Sequence, residues 1–588
     1  MTFDTKIIGG TVFDGNGGDG VQANIGIRGG RIVEIGACDG DAKRIIDATG
    51  CIVTPGFIDL HSHYDGQATW DDRMEPSVCH GVTTTVMGNC GVGFAPVHDG
   101  DHDRLIKLME GVEDIPGTAL AEGLKWNWTS FPDYMDALEA QNRTIDVAVH
   151  IGHDPLRVFV MGDRAIADED ATDDDIAKMR DLVRAAVEAG AIGFSTGRSD
   201  VHKTADGDFT PSSEATAREL SGIARAFEGL NHGVVQAVSD FDLEREGDRF
   251  EAEWAVLESY AKAAGGRPFS VSLMQRDFAP DQWSRILEKA EKIKGDGVDM
   301  RVQTAPRGIG VFLGLQCTFH FFMGYPSYKK IAHLPFEERV AIMKTPDFKA
   351  KILSEKSDKL SGPGSSVPPL ADLLMEHIDF VATKLFKLGD NPDYEQPLEN
   401  ALAAQAERDG VPLMEKLYDT LLERDGQELI YFPIYNYTNG NYDTVHQMMT
   451  HPQALQGLGD GGAHVGTICD ASLPTYLMSY WTRDRERGER IALPRAVQMQ
   501  TADIADFLGL SDRGRIAVGM KADLNVIDYD NLNVLPPYMV SDLPAGGRRL
   551  LQKARGYRAT LVSGVPVVEN DQVTDARPGT LVRAGRSA

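Results

Sequence analysis

Short runs of β-branched and alternating residues, punctuated by glycine pairs, open the chain. Lys6–Phe13 runs into Asp14-Gly15-Asn16-Gly17-Gly18, and Ile25–Arg28 meets Gly29-Gly30 before Arg31–Ile35. This is the pattern of a β-meander. The same texture returns at Asp523–Asp528, Ala559–Ser563 and Gly564–Val568. Between the two ends, short apolar runs alternate with amphipathic stretches of helical period. The runs are Ile52–His61, Gly81–Cys90, Ile145–Val149, Ala191–Thr196, Gly233–Val238, Phe269–Leu273 and Met300–Thr304, with a last turn at Gly457–Asp460. Eight such runs with helices between them predict a (β/α)8, TIM-like barrel over residues 58–514. The two strand-rich ends, 1–57 and 515–588, predict one small β-sandwich domain built from both termini. Residues 310–450 are too long for a single loop of such a barrel. They include the linker-like Ser361–Pro369 and predict a mainly helical insertion, lid-like over the barrel mouth.

Composition narrows the function classes. The chain of 588 residues carries 88 acidic and 59 basic side chains, a net charge of −29. Nucleic acid and anionic membranes both need clustered Lys and Arg, so neither is an expected partner. No apolar run is long enough to span a membrane, and no signal peptide is visible at the first residues. Six cysteines with no Cys-x-x-Cys pair exclude a disulfide scaffold and a zinc ribbon. The expectation is a reduced, cytoplasmic protein acting on a small molecule, with a homo-oligomer left open.

The sharpest chemical signal is Asp59-Leu60-His61-Ser62-His63. Period-2 alternation puts His61 and His63 on one face at the C-terminal end of a barrel strand, where active sites form. Two imidazoles there suit Zn²⁺ or a similar ion. Cys90 ends the second run and is either a further ligand, a nucleophile or a small core residue. Asp460, in Gly459-Asp460-Gly461, is either a metal-side base at the eighth strand or a turn aspartate. Weaker candidates to contact substrate or metal are Arg157, His202, Gln236, Arg307 and His464, with Gln303 beside them inside the barrel. Trp126 and Trp128 are candidates to cover an apolar acyl group.

Val53-Thr54-Pro55-Gly56-Phe57-Ile58-Asp59-Leu60-His61-Ser62-His63 resembles the barrel entry of the amidohydrolase superfamily. Gly81-Val82-Thr83-Thr84, Gly88-Asn89-Cys90-Gly91, Gly152-His153-Asp154-Pro155 and Gly193-Phe194-Ser195-Thr196-Gly197 are similar to the N-acyl-D-amino-acid deacylase (D-aminoacylase) family within it. So is the exit, from Thr501-Ala502 to Gly519-Met520-Lys521-Ala522-Asp523. The resemblance runs in order along nearly the whole chain. It implies a metal-dependent hydrolase of an N-acylated amino acid, with His61, His63, Cys90 and Asp460 on the metal and catalytic positions. In that family, strands five and six each deliver a metal-binding histidine; Val238 and Leu273 stand there in this chain. The family's substrate-holding basic residue falls at Gln275. The expected complement is therefore one zinc ion per chain. Hydrolysis of another bond (a cyclic amide, carbamate, ester or lactone) and a degenerate barrel that only binds are the alternatives.

Overall fold

The computed structural model describes residues 2–241, 249–361, 367 and 369–585. Eight parallel strands form the barrel in chain order: Phe57–Asp59, Val82–Met87, Asp146–Gly152, Gly193–Arg198, Val234–Ser239, Phe269–Ser272, Met300–Thr304 and Ala454–Gln456. They are barrel strands one to eight below. A parallel bridge from Ser62 to Gly461 joins strand one to strand eight and closes the ring. Nearly every strand residue is buried, as a sheet covered on both faces requires. The helix Asp173–Ala189 shows how the outer ring is specified. Thr172 and Asp175 form a capping box, three aspartates occupy the first turn, and Ile176, Met179, Val183 and Val187 make one buried stripe.

The expected barrel and the β domain made from both ends are both seen. The domain is one nine-stranded mixed sheet. Leu524–Ile527 pairs antiparallel with Ile52–Pro55, which in turn lies parallel to Phe3–Val12. Ile7, Ile25 and Ile32 from the first part pack with Leu524, Val526 and Leu561 from the second. The run Ile52–His61, one strand by its hydrophobicity, is divided. Ile52–Pro55 belongs to the β domain and Phe57–Asp59 to the barrel. The break falls at Gly56, where a Cβ would stand 2.2 Å from the Thr83 hydroxyl. The chain's last described residues also leave the β domain: Leu581 bridges Val147, and Val582 donates to the Val147 carbonyl. This tail lies along barrel strand three.

The long insertion contains helices, but it is not only helical. Ile309–Leu313 and Ile430–Tyr435 pair antiparallel, with Phe386–Lys387 on the outer edge of the second. Both longer strands are rich in β-branched and aromatic residues, which favour strands. Of the linker-like Ser361–Pro369, residues 362–366 and 368 lie outside the described residues. Among the described residues, no helix is long and apolar enough to cross a membrane.

At the end of the barrel away from the mouth, Asp146 ties three pieces together. Its carboxylate accepts from Arg513 at 2.6 Å, pairs with Lys521 at 2.8 Å and accepts from the Thr580 N–H at 2.8 Å. Burial opposes its ionisation, but Lys521 and Arg513 outweigh burial and hold it below the usual carboxylate range. Asp146→Asn should cost about 3 kcal/mol in urea unfolding, the low end for a broken buried pair, because Asp512 and Asp523 still face the two cations. A depressed pKa stabilises above the unfolded value and is lost as pH falls through the folded one. The gap between wild type and variant should therefore narrow below about pH 4.

Candidate active site

Strand one does not stop chemically at Asp59. The Ser62 N–H donates to the Val86 carbonyl at 2.9 Å, and the His63 N–H to the Gly461 carbonyl at 2.8 Å. Held between strands two and eight, His61 and His63 face the same side. Strand two ends in a turn at Asn89-Cys90-Gly91, with Cys90 at φ 54°, a conformation uncommon outside glycine. The turn sits hard against strand four: a Cβ on Gly197 would lie 2.2 Å from the Cys90 carbonyl oxygen. The Cys90 Sγ thereby comes within 3.3 Å of His61 Nε2. After strand eight, Asp460 adopts φ 44° and its N–H donates to the His61 carbonyl at 3.1 Å. Its Oδ1 lies 3.4 Å from His61 Nε2 and 3.7 Å from His63 Nε2.

Donor atoms of His61, His63 and Cys90 all lie within 4.8 Å of one another. Zinc bonds of about 2.0–2.3 Å put tetrahedral donors about 3.3–3.8 Å apart, so the cluster fits a single ion with small adjustments. The protonation state of His61 fits too. Burial pushes His61 down to about 4, leaving the neutral imidazole that a metal needs. Its Nδ1 is 2.8 Å from Gln303 Oε1, while Gln303 Nε2 donates to Ser270 Oγ at 2.9 Å. The amide orientation makes His61 Nδ1 the donor and turns the Nε2 lone pair toward Cys90. Burial pushes the Cys90 thiol up to about 12, an environment that a cation would reverse. Burial also works against charge on Asp460, but the facing imidazoles of His63 and His61 hold it well below the usual range.

Glu113 has no local signature in the sequence; it reads as one more charge at the end of an amphipathic helix. It is 1% exposed, with Oε1 3.2 Å from His63 Nδ1 and Oε2 3.5 Å from His464 Nε2. Burial opposes a charge on His63, and the Glu113 carboxylate overcomes it.

These groups form one end of a cavity of about 200 Å³ that His202 and His464 also line. Strands five and six and their ends contribute Val238, Ser239, Ser272 and Met274, and no histidine. Leu273 faces away from the cavity, its two neighbours into it. Four sequence candidates lie elsewhere. Arg157 pairs with Glu219 at 3.5 Å and donates to the Glu169 carbonyl. Arg307 pairs with Asp470 at 2.8 Å under the Tyr394 ring. Gln275 donates to Thr444 at 3.3 Å. Gln236 is buried two residues below Val238 on the same strand face. Trp128 donates to the Phe94 carbonyl and Trp126 stacks on His102, both away from the cavity. The cation that does line it is Arg276, next to Gln275. Regular pairing stops at Ser272, so alternation counted past that point is off by one.

The motif resemblance and the comparisons with known proteins agree. D-aminoacylase of Alcaligenes xylosoxydans xylosoxydans is 36% identical over 236 residues, 40% of this chain and 44% of its own. N-acyl-D-glutamate deacylase of the same organism is 34% identical over 311 residues, 52% and 57% of the two chains. The chain thus spans about half the length of these curated relatives. The crystal structure of N-acyl-D-glutamate deacylase from Bordetella bronchiseptica, complexed with zinc and a phosphonate inhibitor, superposes with a TM-score of 0.63 at 24% identity. The match covers 99% of this chain and 100% of that one, and shows a shared fold. The amidohydrolase family model matches residues 44–568, and the chain belongs to the amidohydrolase family.

Proposed function

We propose that this protein is a metal-dependent hydrolase that cleaves the amide of an N-acyl amino acid, or a closely related N-acylated compound, into a carboxylate and an amine. The observation that carries the reading is the convergence of His61, His63 and Cys90 with Asp460 at one end of a cavity on the C-terminal side of the barrel. The names of the similar deacylases, and the zinc in one of them, support it. His61, His63 and Cys90 would hold a divalent ion such as Zn²⁺, which would supply Lewis acidity to polarise the amide carbonyl and lower the pKa of water from about 15.7 toward about 7.

The chain's own groups do the rest. Gln303 fixes the His61 tautomer and Glu113 orients His63. Asp460, ionised and facing both imidazoles, accepts the proton of the attacking water and passes it to the departing nitrogen. Arg276 anchors the substrate carboxylate. The residue is 2% exposed, and its guanidinium donates to the Ser239 carbonyl and the Gln282 amide and keeps Nε without a hydrogen-bond partner among the described residues. Because strands five and six give the cavity no histidine, the reading assigns one ion per chain. All six cysteines are buried free thiols, which supports a reducing, cytoplasmic setting.

Elemental analysis should find about one ion per chain in zinc-reconstituted wild type, and clearly less in His61→Ala and Cys90→Ala. Two tightly held ions, or undiminished metal in Cys90→Ala, would remove this assignment. Gln303→Leu should keep the fold while weakening metal affinity about 10–100-fold in chelator competition. On the best substrate from a screen of paired D and L N-acyl amino acids, Asp460→Asn should lower kcat about 10²–10⁴-fold. Wild-type kcat in that variant would take Asp460 out of the base role.

A further inference from the structure

We propose that the insertion builds a pocket for a long apolar acyl chain, so that the substrates are N-acyl amino acids with medium to long alkyl groups; this rests on the hydrolase reading above. The cavity is divided by chemistry. His61, His63, Cys90, Glu113, Asp460 and His464 occupy one part, and Arg276 sits with Ser239 and Ser272 on the strand-five and strand-six wall. The insertion faces them with Val311, Leu313, Phe319, Ala371, Leu374 and Ile434. Among the described residues, it brings no charged side chain to the lining between 309 and 435.

Val311 and Leu313 lie two apart on one strand and share a face. Phe312 between them packs the other way, 5.4 Å from the Tyr431 ring. An apolar strand face of this kind normally closes onto a core, because protein interiors leave few voids larger than a water. Here a space of about 200 Å³ remains, over ten times the ~10–15 Å³ that holds one water. Lined this way, it offers water and polar substituents few partners, and an alkyl chain many contacts. An amide set between the metal donors and Asp460 has two halves. The amine half is tied by its carboxylate to Arg276, so the acyl half takes the apolar wall. An acetyl group would leave most of that wall uncovered. Val201, 44% exposed, continues the apolar lining to solvent and gives a longer chain a way out.

The test uses the zinc-reconstituted full-length protein in two parallel series. Calorimetry measures binding of acetate, hexanoate and decanoate, which cannot be hydrolysed. Kinetics compare acetyl, hexanoyl and decanoyl derivatives of D- and L-alanine. Affinity for the free acids should rise about fourfold per methylene until the pocket is filled, and kcat/KM should follow. Ile434→Asp should flatten both series, and Val201→Asp, at an exposed position where folding is not at stake, should weaken decanoate most. Decanoate binding no tighter than acetate, or a preference for acetyl substrates, would overturn the proposal while leaving the hydrolase reading intact. Graded binding of the acids without turnover of any amide would support the pocket and remove the hydrolase reading.

Discussion

The site exists because the barrel closes. Strand one and the loop after strand eight meet through His63 to Gly461 and Asp460 to His61 backbone hydrogen bonds, between segments almost four hundred residues apart. No contact within either segment would bring a carboxylate to two imidazoles. The closure also sets the strain: Leu458, Asp460 and His464 all take positive φ, and such outliers persist only where the surroundings over-determine them. Here the surroundings are the ladder of strands one and two on one side and Glu113 on the other.

Burial gives this cluster its character. In water, two imidazoles, a thiol and a carboxylate would titrate almost independently. Packed together at the barrel's C-terminal end, they hold protons as a set, with His61 neutral, His63 and Cys90 pushed up and Asp460 pushed down. The opposite end repeats the same physics for a different purpose. Asp146, Arg513 and Lys521 are joined in a buried network that fastens the β domain and the tail to the barrel. At the mouth the charges face one another as candidate metal donors; at the other end opposite charges pair and hold three parts of the chain together.

Much of this was legible in the sequence. Apolar runs at regular intervals gave the barrel, and the His-x-His pair at a strand end gave the centre of the site, because both follow from short-range periodicity. Reading failed where the information is not local. Glu113 reaches the site only through the path of the chain after strand two. For Arg157 and Arg307 the sequence leaves a ligand clamp and an internal ion pair equally open, and only the fold shows Glu219 and Asp470 beside them. Arg276, not Gln275, lines the cavity, because the regular pairing of strand six ends before it. The insertion's strands were hidden by its length, since Ile309–Leu313 finds its partner more than a hundred residues later.

The division of one apolar run at Gly56 bears on how the molecule is made. Ile52–Pro55 is completed on one side only by Leu524–Ile527, and the first residues of barrel strand three gain a bridge from the tail at Leu581. A ribosome adding about 5–20 residues per second delivers those partners tens of seconds after the first strands have emerged. Through that interval the nascent N-terminal sheet carries an open hydrogen-bonding edge, the kind of surface that recruits other chains. The β domain thus begins before the barrel and is completed only after it, and over that interval its open edge is exposed to other chains.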